Sequence, residues 1–175
     1  KGERTHKCVD DSLAALGCME HRGACSADND SGDGAGIMTQ IPWQLLSKWC
    51  DANGISGFSE ETSAVSMTFL PNDAGKRSKA KAEIEKAIVA EGLKVLGWRE
   101  VPTKNEIVGP MAKITQPTIE QCLIDGAGVT GDELERKLYF ARKNAEKARA
   151  GNMADLEDLY VCTMSCRTIV YKGML

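Results

Sequence analysis

The stretch SAVSMTFLP, residues 63–71, is the segment on which the prediction of the fold depends. Apolar Val65, Met67 and Phe69 alternate with polar residues, and Pro71 ends the run. A period of two is typical of a β-strand with one buried face, and proline cannot donate to a sheet ladder. The segment is therefore predicted as a half-buried strand.

Two helices and three more strands are predicted downstream of this strand. Asp73 is placed to cap a helix over about 74–91, which has apolar residues on one face. A second helix is predicted over 131–150, and the remaining strands over 93–102, 117–125 and 156–165. The order strand–helix–strand–strand–helix–strand is that of the split βαβ, ferredoxin-like arrangement.

The segments outside this block predict an outer frame. The first helix is predicted over 5–23 with Gly23 at its end; Val9, Leu13, Leu16 and Met19 or Glu20 lie close to one stripe, and a Gly/Asp-rich loop follows. The other predicted elements are a strand over 36–43, a helix over 44–54, an extended loop over 103–116 and a strand over 166–175. The predicted domains are a frame over 1–50, an inserted α+β subdomain over 51–164 and a returning frame strand over 165–175.

Composition indicates a globular chain without a nucleic-acid or membrane partner. The 175 residues carry 42% hydrophobic and 27% charged residues and a formal net charge of −3. No apolar run approaches the length of a membrane span, and no signal peptide is visible. Seven widely spaced cysteines, an odd number, favour reduced thiols in a reducing compartment such as the cytoplasm.

The loop within MEHRGACSADNDSGDGAGI, residues 19–37, fits neither a nucleotide motif nor a calcium motif. Its glycines are spaced G-x-G-x-G and follow a helix, whereas the dinucleotide fingerprint is G-x-G-x-x-G after a strand. A calcium loop starting at Asp28 would reach position 5 at Gly32 and position 12 at Thr39, so the bidentate acid is missing.

Zinc and triad chemistry are not favoured by the spacing either. Cys18, His21 and Cys25 lie close together, but Cys162 and Cys166 have no evident reason to converge on them. A Ser/His/Asp triad stays open, although a histidine at a helix end more often caps carbonyls. From the residues alone, the loop is a tight turn that glycine permits.

Four segments together resemble a known family. They are CMEHRGACSADNDSGDGAGIMTQIPW, VLGWREVPTKNEIVG, PTIEQ and CRTIVYKGML, which follow one another from Cys18 to Leu175. They resemble the glutaminase domain of glutamate synthases, which are class II (N-terminal nucleophile, Ntn) glutamine amidotransferases. The resemblance implies an α+β fold, part of an αββα four-layer Ntn-hydrolase sandwich with a ferredoxin-like insertion.

The resemblance also implies a chemistry. In that family an N-terminal Cys thiolate attacks the glutamine side-chain amide, its own α-amine is the base, and glutamate and ammonia are released. The ammonia then aminates 2-oxoglutarate in a second domain that uses FMN, an iron–sulfur cluster, and electrons from NAD(P)H or ferredoxin. Such an enzyme is cytoplasmic, or plastidic in a photosynthetic eukaryote. Its partners for this stretch are its own remaining domains.

For this chain the resemblance implies a pocket wall and no catalytic residue. The sequence starts at Lys1 and not at Cys, and Cys8 opens a helical pattern. The family's glutamine-binding Arg and its oxyanion Asn-Gly pair are expected beyond YKGML, as are the cofactor segments. We therefore expect the isolated chain to be inactive. The residues expected to support the glutamine pocket are Arg22, Gly23, Asp33 and Gly34, and no metal site is expected.

Several interpretations stay open. Arg22 either supports the pocket or braces the loop by pairing with Asp30 or Asp33. Trp98 and Arg99 are interpreted as packing and interdomain contacts. The block over 63–164 is alternatively a small-ligand or regulatory module, or a fragment that docks through strand edges at 37–41 and 167–171.

Overall fold

A computed structural model describes residues 5–24, 27–32, 34–150 and 156–174. The helices within these ranges are α1 (His6–Gly17), α2 (Trp43–Ala52), α3 (Ala74–Ala90), α4 (Pro110–Thr115) and α5 (Gly131–Ala150). The strands are β1 (Gly34–Gln40), β2 (Ser63–Leu70), β3 (Lys94–Glu100), β4 (Thr118–Asp125), β5 (Tyr160–Ser165) and β6 (Thr168–Met174). Short 3₁₀ turns span Glu20–Arg22 and Asn105–Ile107.

The chain forms two compact units. The first comprises Lys1–Gln40, Pro102–Gln116 and Val170–Leu175, and the second comprises Ile41–Val101 and Pro117–Ile169. In the first, β1 pairs with β6 in a two-stranded sheet. The predicted division into a frame, an insertion and a returning strand stays a prediction.

The second unit is an antiparallel four-stranded sheet in the order β3-β4-β2-β5. With α3 after β2 and α5 after β4, this is the ferredoxin-like arrangement predicted from the sequence. Helices α3 and α5 pack against each other and share one core with the sheet. That core contains Ile84, Ile88, Leu134, Leu138, Cys122 and Ile124.

The central strand β2 differs from its prediction, because it is buried on both faces. Met67 is only 1% exposed, and the polar residues Ser66 and Thr68 are 0% exposed. Both hydroxyls donate to backbone carbonyls of neighbouring strands: Ser66 Oγ to Thr163 at 3.0 Å and Thr68 Oγ1 to Glu120 at 2.7 Å. A hydroxyl that has such a partner can be buried at little cost. The alternation of apolar residues with Ser and Thr in β2 therefore did not indicate a face exposed to solvent.

Two other predictions need correction. The segment 103–116 was predicted as an extended loop, but it contains a 3₁₀ turn and the helix α4, which begins with Pro110 at its first position. Proline is preorganised for that position because its missing N–H is not needed there. The first helix, predicted to continue to Gly23, ends as α1 at Gly17, and the 3₁₀ turn Glu20–Arg22 lies between its end and Gly23. It buries no residue, and Leu13 and Leu16 are about half exposed.

Local capping agrees with the sequence at α3. The Asp73 side chain accepts a hydrogen bond from the backbone N–H of Lys76 at 2.8 Å. This contact satisfies one of the N–H groups that a helix start leaves without an internal partner.

None of the helices in the described ranges combines the length and hydrophobicity that a membrane crossing requires.

Adjacent leucines in α2 allow a matched test of this packing. Leu46 is 0% exposed and Leu45 is 51% exposed. We expect Leu46→Ala to lower the free energy of unfolding by about 2–5 kcal/mol, because it removes transfer energy and leaves a cavity. Leu45→Ala should cost less than about 1 kcal/mol. Urea unfolding of both variants measures the difference, and equal losses would contradict the assignment of the buried face of α2.

Candidate functional site: the loop from Arg22 to Gly34

The predicted pocket residues lie at the two ends of the Gly/Asp loop. Arg22 ends the 3₁₀ turn, where its backbone N–H donates to the Met19 carbonyl at 2.9 Å. Arg22 and Gly23 are both exposed, and Gly34 is the exposed first residue of β1. Asp33 lies outside the described residues. The interpretation of Arg22 as a pocket residue, or as a partner of Asp30 or Asp33, stays a prediction.

His21 fits the helix-end role that its position suggested. Its Nδ1 lies 3.0 Å from the backbone carbonyl of Cys18. A carbonyl oxygen only accepts hydrogen bonds, so this contact requires a proton on Nδ1. The imidazole therefore binds a carbonyl that α1 leaves free at its C-terminal end.

The middle of the loop is organised by the Asp28 carboxylate. Its Oδ1 accepts from the backbone N–H groups of Asp30 at 3.2 Å and Ser31 at 2.9 Å, and its Oδ2 accepts from Ser31 Oγ at 2.6 Å. These are the contacts of an Asx turn, in which an aspartate side chain replaces a backbone acceptor. The turn holds Ser31 completely buried.

The same two side chains also cap α4. Asp28 Oδ2 accepts from the Met111 backbone N–H at 3.0 Å, and Ser31 Oγ accepts from that of Ala112 at 3.0 Å. The loop thus supplies acceptors for two N–H groups at the start of a helix about eighty residues away in sequence. At Gly109, a Cβ atom would lie 2.8 Å from the Ser31 backbone nitrogen, so only glycine permits this approach.

These contacts define the chemistry available to Asp28. The hydrogen bond from the Ser31 side chain, and next that from the Met111 backbone, hold the pKa of its carboxyl well below the usual range. Both carboxylate oxygens are already occupied by donors. Asp28 therefore acts as an ionised brace, and it has little capacity left to bind calcium or to accept a proton.

Sequence reasoning missed this brace. From spacing, Asp28 is a candidate only for the first position of a calcium loop, and nothing in the sequence connects it with Ser31, Gly109 or α4. Local signals were present, since an Asp in a loop commonly forms an Asx turn with the backbone two residues on, and Pro110 is typical of the first position of a helix. What the sequence could not supply was the pairing of the two segments.

The thiols with shifted pKa values are poorly suited to nucleophilic chemistry. Burial raises the pKa of Cys50 and of Cys122, and burial together with the Glu135 carboxylate raises that of Cys166 to about 11. A nucleophilic cysteine needs the opposite shift, because the thiolate is the reactive form. In the described ranges, no group of three or more His, Cys, Asp or Glu side chains is arranged to hold a metal ion.

Comparison with known proteins gives the family. The family model described as glutamine amidotransferases class-II matches residues 1–175. The chain belongs to the class-II glutamine amidotransferases. This confirms the family that the loop and its companion motifs resembled, and the α+β fold with antiparallel sheets agrees with it.

Curated relatives of this class-II amidotransferase chain are glutamate synthases. It is 49% identical to the ferredoxin-dependent glutamate synthase 2 of Synechocystis sp., and 48% identical to the chloroplastic ferredoxin-dependent glutamate synthase of Oryza sativa. It is 47% identical to the chloroplastic ferredoxin-dependent glutamate synthase 2 of Arabidopsis thaliana. Each match covers 100% of the chain and 11% of the relative, so the chain spans about a tenth of their length.

The Asp28 brace predicts an acid-sensitive loop. Folding lowers the pKa of the Asp28 carboxyl, so the ionised carboxylate stabilises the folded state. The full stabilisation is present above the pKa that this carboxyl has in the unfolded chain, near 4. This stabilisation is lost as the pH falls from about 5 through the folded pKa. We expect Asp28→Asn to have a lower free energy of unfolding than the wild type at pH 7. Between pH 7 and pH 3, the free energy of unfolding of this variant should change less than that of the wild type.

Chemical unfolding at the two pH values measures this effect. Asp30→Asn is the matched control, because it removes the same charge from the same loop while leaving the acceptors of α4 intact. If Asp30→Asn changed the pH dependence as much as Asp28→Asn, net charge and not the brace would explain the result.

Proposed function

We propose that this chain forms part of the glutamine-hydrolysing domain of a glutamate synthase, in which glutamine is split into glutamate and ammonia. The observation that carries the proposal is the match of the whole chain, loop included, to class-II amidotransferases and to glutamate synthases at 47–49% identity. The chain would contribute the wall of the glutamine pocket and the ferredoxin-like subdomain.

The loop is proposed as the pocket wall because the turn in its middle, over residues 28–31, is held in place by the protein's own hydrogen bonds. Asp28 accepts two hydrogen bonds from backbone N–H groups within the turn, and Asp28 and Ser31 each accept one from the backbone of α4. The exposed Arg22 guanidinium at one end offers a positive charge and several donors to an amino-acid substrate. Gly23 and Gly34 allow close approach at the two ends, and Asp33 is proposed as a further loop support.

The nucleophile is proposed to come from a cysteine with a free α-amine, supplied from outside this stretch. Cys8 lies within α1, and the environments of Cys50, Cys122 and Cys166 disfavour the thiolate. In the proposed reaction the thiolate attacks the glutamine amide carbon, the amine receives the thiol proton and passes it to the departing ammonia, and water then releases glutamate.

The later chemistry is assigned to other domains of the parent protein. There the ammonia would aminate 2-oxoglutarate, with FMN and an iron–sulfur cluster as redox groups. The side chains described in this chain do not form a site for a metal cluster, so no step is placed on them. The names of the relatives favour ferredoxin over NAD(P)H as the electron donor. Because the plant relatives are chloroplastic, the parent protein is proposed to lie in a plastid if its source is a plant. For any other source, the cytoplasm is proposed.

The role of Arg22 can be tested in the complete protein. We expect Arg22→Ala to raise the KM for glutamine by about tenfold or more, because a charged hydrogen bond contributes about 1.5–3 kcal/mol. Ammonia release at varied glutamine concentration measures it. Arg136→Ala, which removes an exposed arginine from α5, is the control and should leave KM unchanged. An unchanged KM in Arg22→Ala would remove Arg22 from the pocket.

The origin of the nucleophile has a separate test. We expect the 175-residue chain alone to release no ammonia from glutamine above background. Circular dichroism would first establish that the chain is folded. Steady ammonia release by the folded chain would contradict the assignment of the nucleophile to another segment, while leaving the family assignment intact.

A second candidate function is binding of a small molecule by the ferredoxin-like unit. A cavity of about 520 Å³ lies between the end of α5 and β5, and Glu146, Arg149 and Tyr160 are among its lining residues. The volume suits a small ligand, and Arg149 offers a charge for an anionic group. A rise in melting temperature with an amino acid or a nucleotide, lost in Arg149→Ala, would support this alternative.

A further inference from the structure

The Asp28 carboxylate divides its two oxygen atoms between two tasks. Oδ1 accepts hydrogen bonds from within the turn, from the backbone N–H groups of Asp30 and Ser31. Oδ2 accepts from the Ser31 hydroxyl at 2.6 Å and from the Met111 backbone N–H at 3.0 Å. One oxygen therefore shapes the turn, and the other joins the turn to α4.

The contact between the turn and α4 is buried. Ser31 is 0% exposed, Ala112 is 2% exposed, and Gly109 is buried as well. The backbone N–H of Ala112 donates to Ser31 Oγ inside this contact. A buried N–H group that loses its acceptor is costly, because water cannot replace the lost partner. The turn and the start of α4 are therefore expected to move as one body.

The segment that carries α4 has a support of its own. It connects β3 with β4 in sequence, and its two ends are joined by the side chain of Asn105. Asn105 Oδ1 accepts from Thr103 Oγ1 at 2.9 Å and from Gln116 Nε2 at 2.7 Å. An asparagine acceptor that links the ends of a loop restricts the conformations of the loop. The position of α4 thus does not depend on Asp28 alone.

The turn leads directly into a residue proposed for the glutamine pocket. Gly34 is the first residue of β1 and follows Ser31 by three positions. Three residues span at most about 11 Å, so a displacement of Ser31 displaces the start of β1 as well. Small displacements matter for a substrate site, because a misplacement of 1 Å can change catalytic efficiency by about a hundredfold.

We propose that Asp28 and Ser31 are positioning residues for glutamine, through which α4 sets the place of the pocket wall without touching the substrate. This inference rests on the proposed function of the loop as that wall. A wall that contacts the substrate and the transition state alike affects KM and leaves kcat unchanged. The residues over 109–112 are thereby assigned an influence on glutamine affinity.

The test measures ammonia release by the complete protein at varied glutamine concentration. Asp28→Asn keeps an acceptor for the turn at Oδ1, but it places an NH₂ group against the Met111 N–H. Gly109→Ala acts from the side of α4, because its Cβ would lie 2.8 Å from the Ser31 backbone nitrogen. We expect each variant to raise the KM for glutamine about fivefold or more, with kcat within about twofold.

Two matched controls change the same atoms elsewhere. Asp51→Asn removes a carboxylate at an exposed position of α2, and Gly17→Ala adds a Cβ that has no neighbour within 4 Å. Both should leave KM within about twofold. A rise of KM in a control as large as in its matched variant would overturn the inference, because net charge or a generic glycine effect would then explain the result.

Partial unfolding has a different signature. It reduces the amount of active protein and therefore kcat, whereas the KM of the remaining active protein does not change. A fall of kcat alone in Asp28→Asn and Gly109→Ala would therefore overturn the inference. Ser31→Ala is a milder variant, because it removes the acceptor of Ala112 and leaves the Met111 contact with Asp28. It should raise KM about threefold.

The wild type separates this inference from the proposed function. A complete wild-type protein that released no ammonia from glutamine would overturn the proposed function, and this inference with it. Ammonia release by the wild type and an unchanged KM in all three variants would overturn this inference alone.

Discussion

The hydrogen bonds of the Asp28 carboxylate are the constraint on which the candidate site depends. This one side chain organises its own turn, orients the Ser31 hydroxyl and satisfies the start of α4. A charged acceptor forms stronger hydrogen bonds than a neutral one, and a backbone donor at a helix N-terminus favours negative charge. The turn over 28–31 is therefore held in shape by a helix distant in sequence.

A second network involves Trp98 and Arg99 of the GWREVP motif. The Trp98 indole N–H donates to Glu85 at 2.7 Å, and Lys81 lies 4.6 Å from the Trp98 ring while it pairs with Glu120 at 2.7 Å. The buried Glu120 carboxylate is thus compensated by a cation that the aromatic ring also contacts. Arg99 donates to Gln121 on the next strand at 2.9 Å. The packing role expected of Trp98 and Arg99 follows from these contacts, and their interdomain role stays a prediction.

Local sequence signals were sufficient for most elements but not for long-range pairing. Asp73 has a local signal for a helix start, and Gly92, with a φ of 76°, ends that helix as glycine commonly does. The alternation in β2 predicted its strand correctly and its exposure wrongly, because the buried hydroxyls of Ser66 and Thr68 depend on strands distant in sequence. Likewise, the bracing role of Asp28 could not be predicted without knowing its contact with α4.

The candidate site was accessible from the sequence mainly through resemblance. Composition and spacing excluded common nucleotide and metal motifs, but they left the loop as a turn without a function. The motif resemblance gave the family, which the comparison confirmed. The pocket roles of Arg22, Gly23 and Gly34 rest on the resemblance and stay predictions, because exposed loop residues carry no packing signal from which physical reasoning could assign them.

The Ser165–Cys166 link shows how this chain uses a thiol as structure. Glu135 accepts from Ser165 Oγ at 2.7 Å, from the Cys166 backbone at 2.9 Å and from Cys166 Sγ at 3.0 Å. A neighbouring carboxylate opposes formation of the thiolate, so the sulfur stays a protonated donor. A nucleophilic thiol would need a nearby neutral amine or imidazole that takes its proton, or a cation that stabilises the thiolate. The Glu135 contact is therefore a structural clamp, and it gives a physical reason to place the reactive sulfur of the proposed reaction elsewhere.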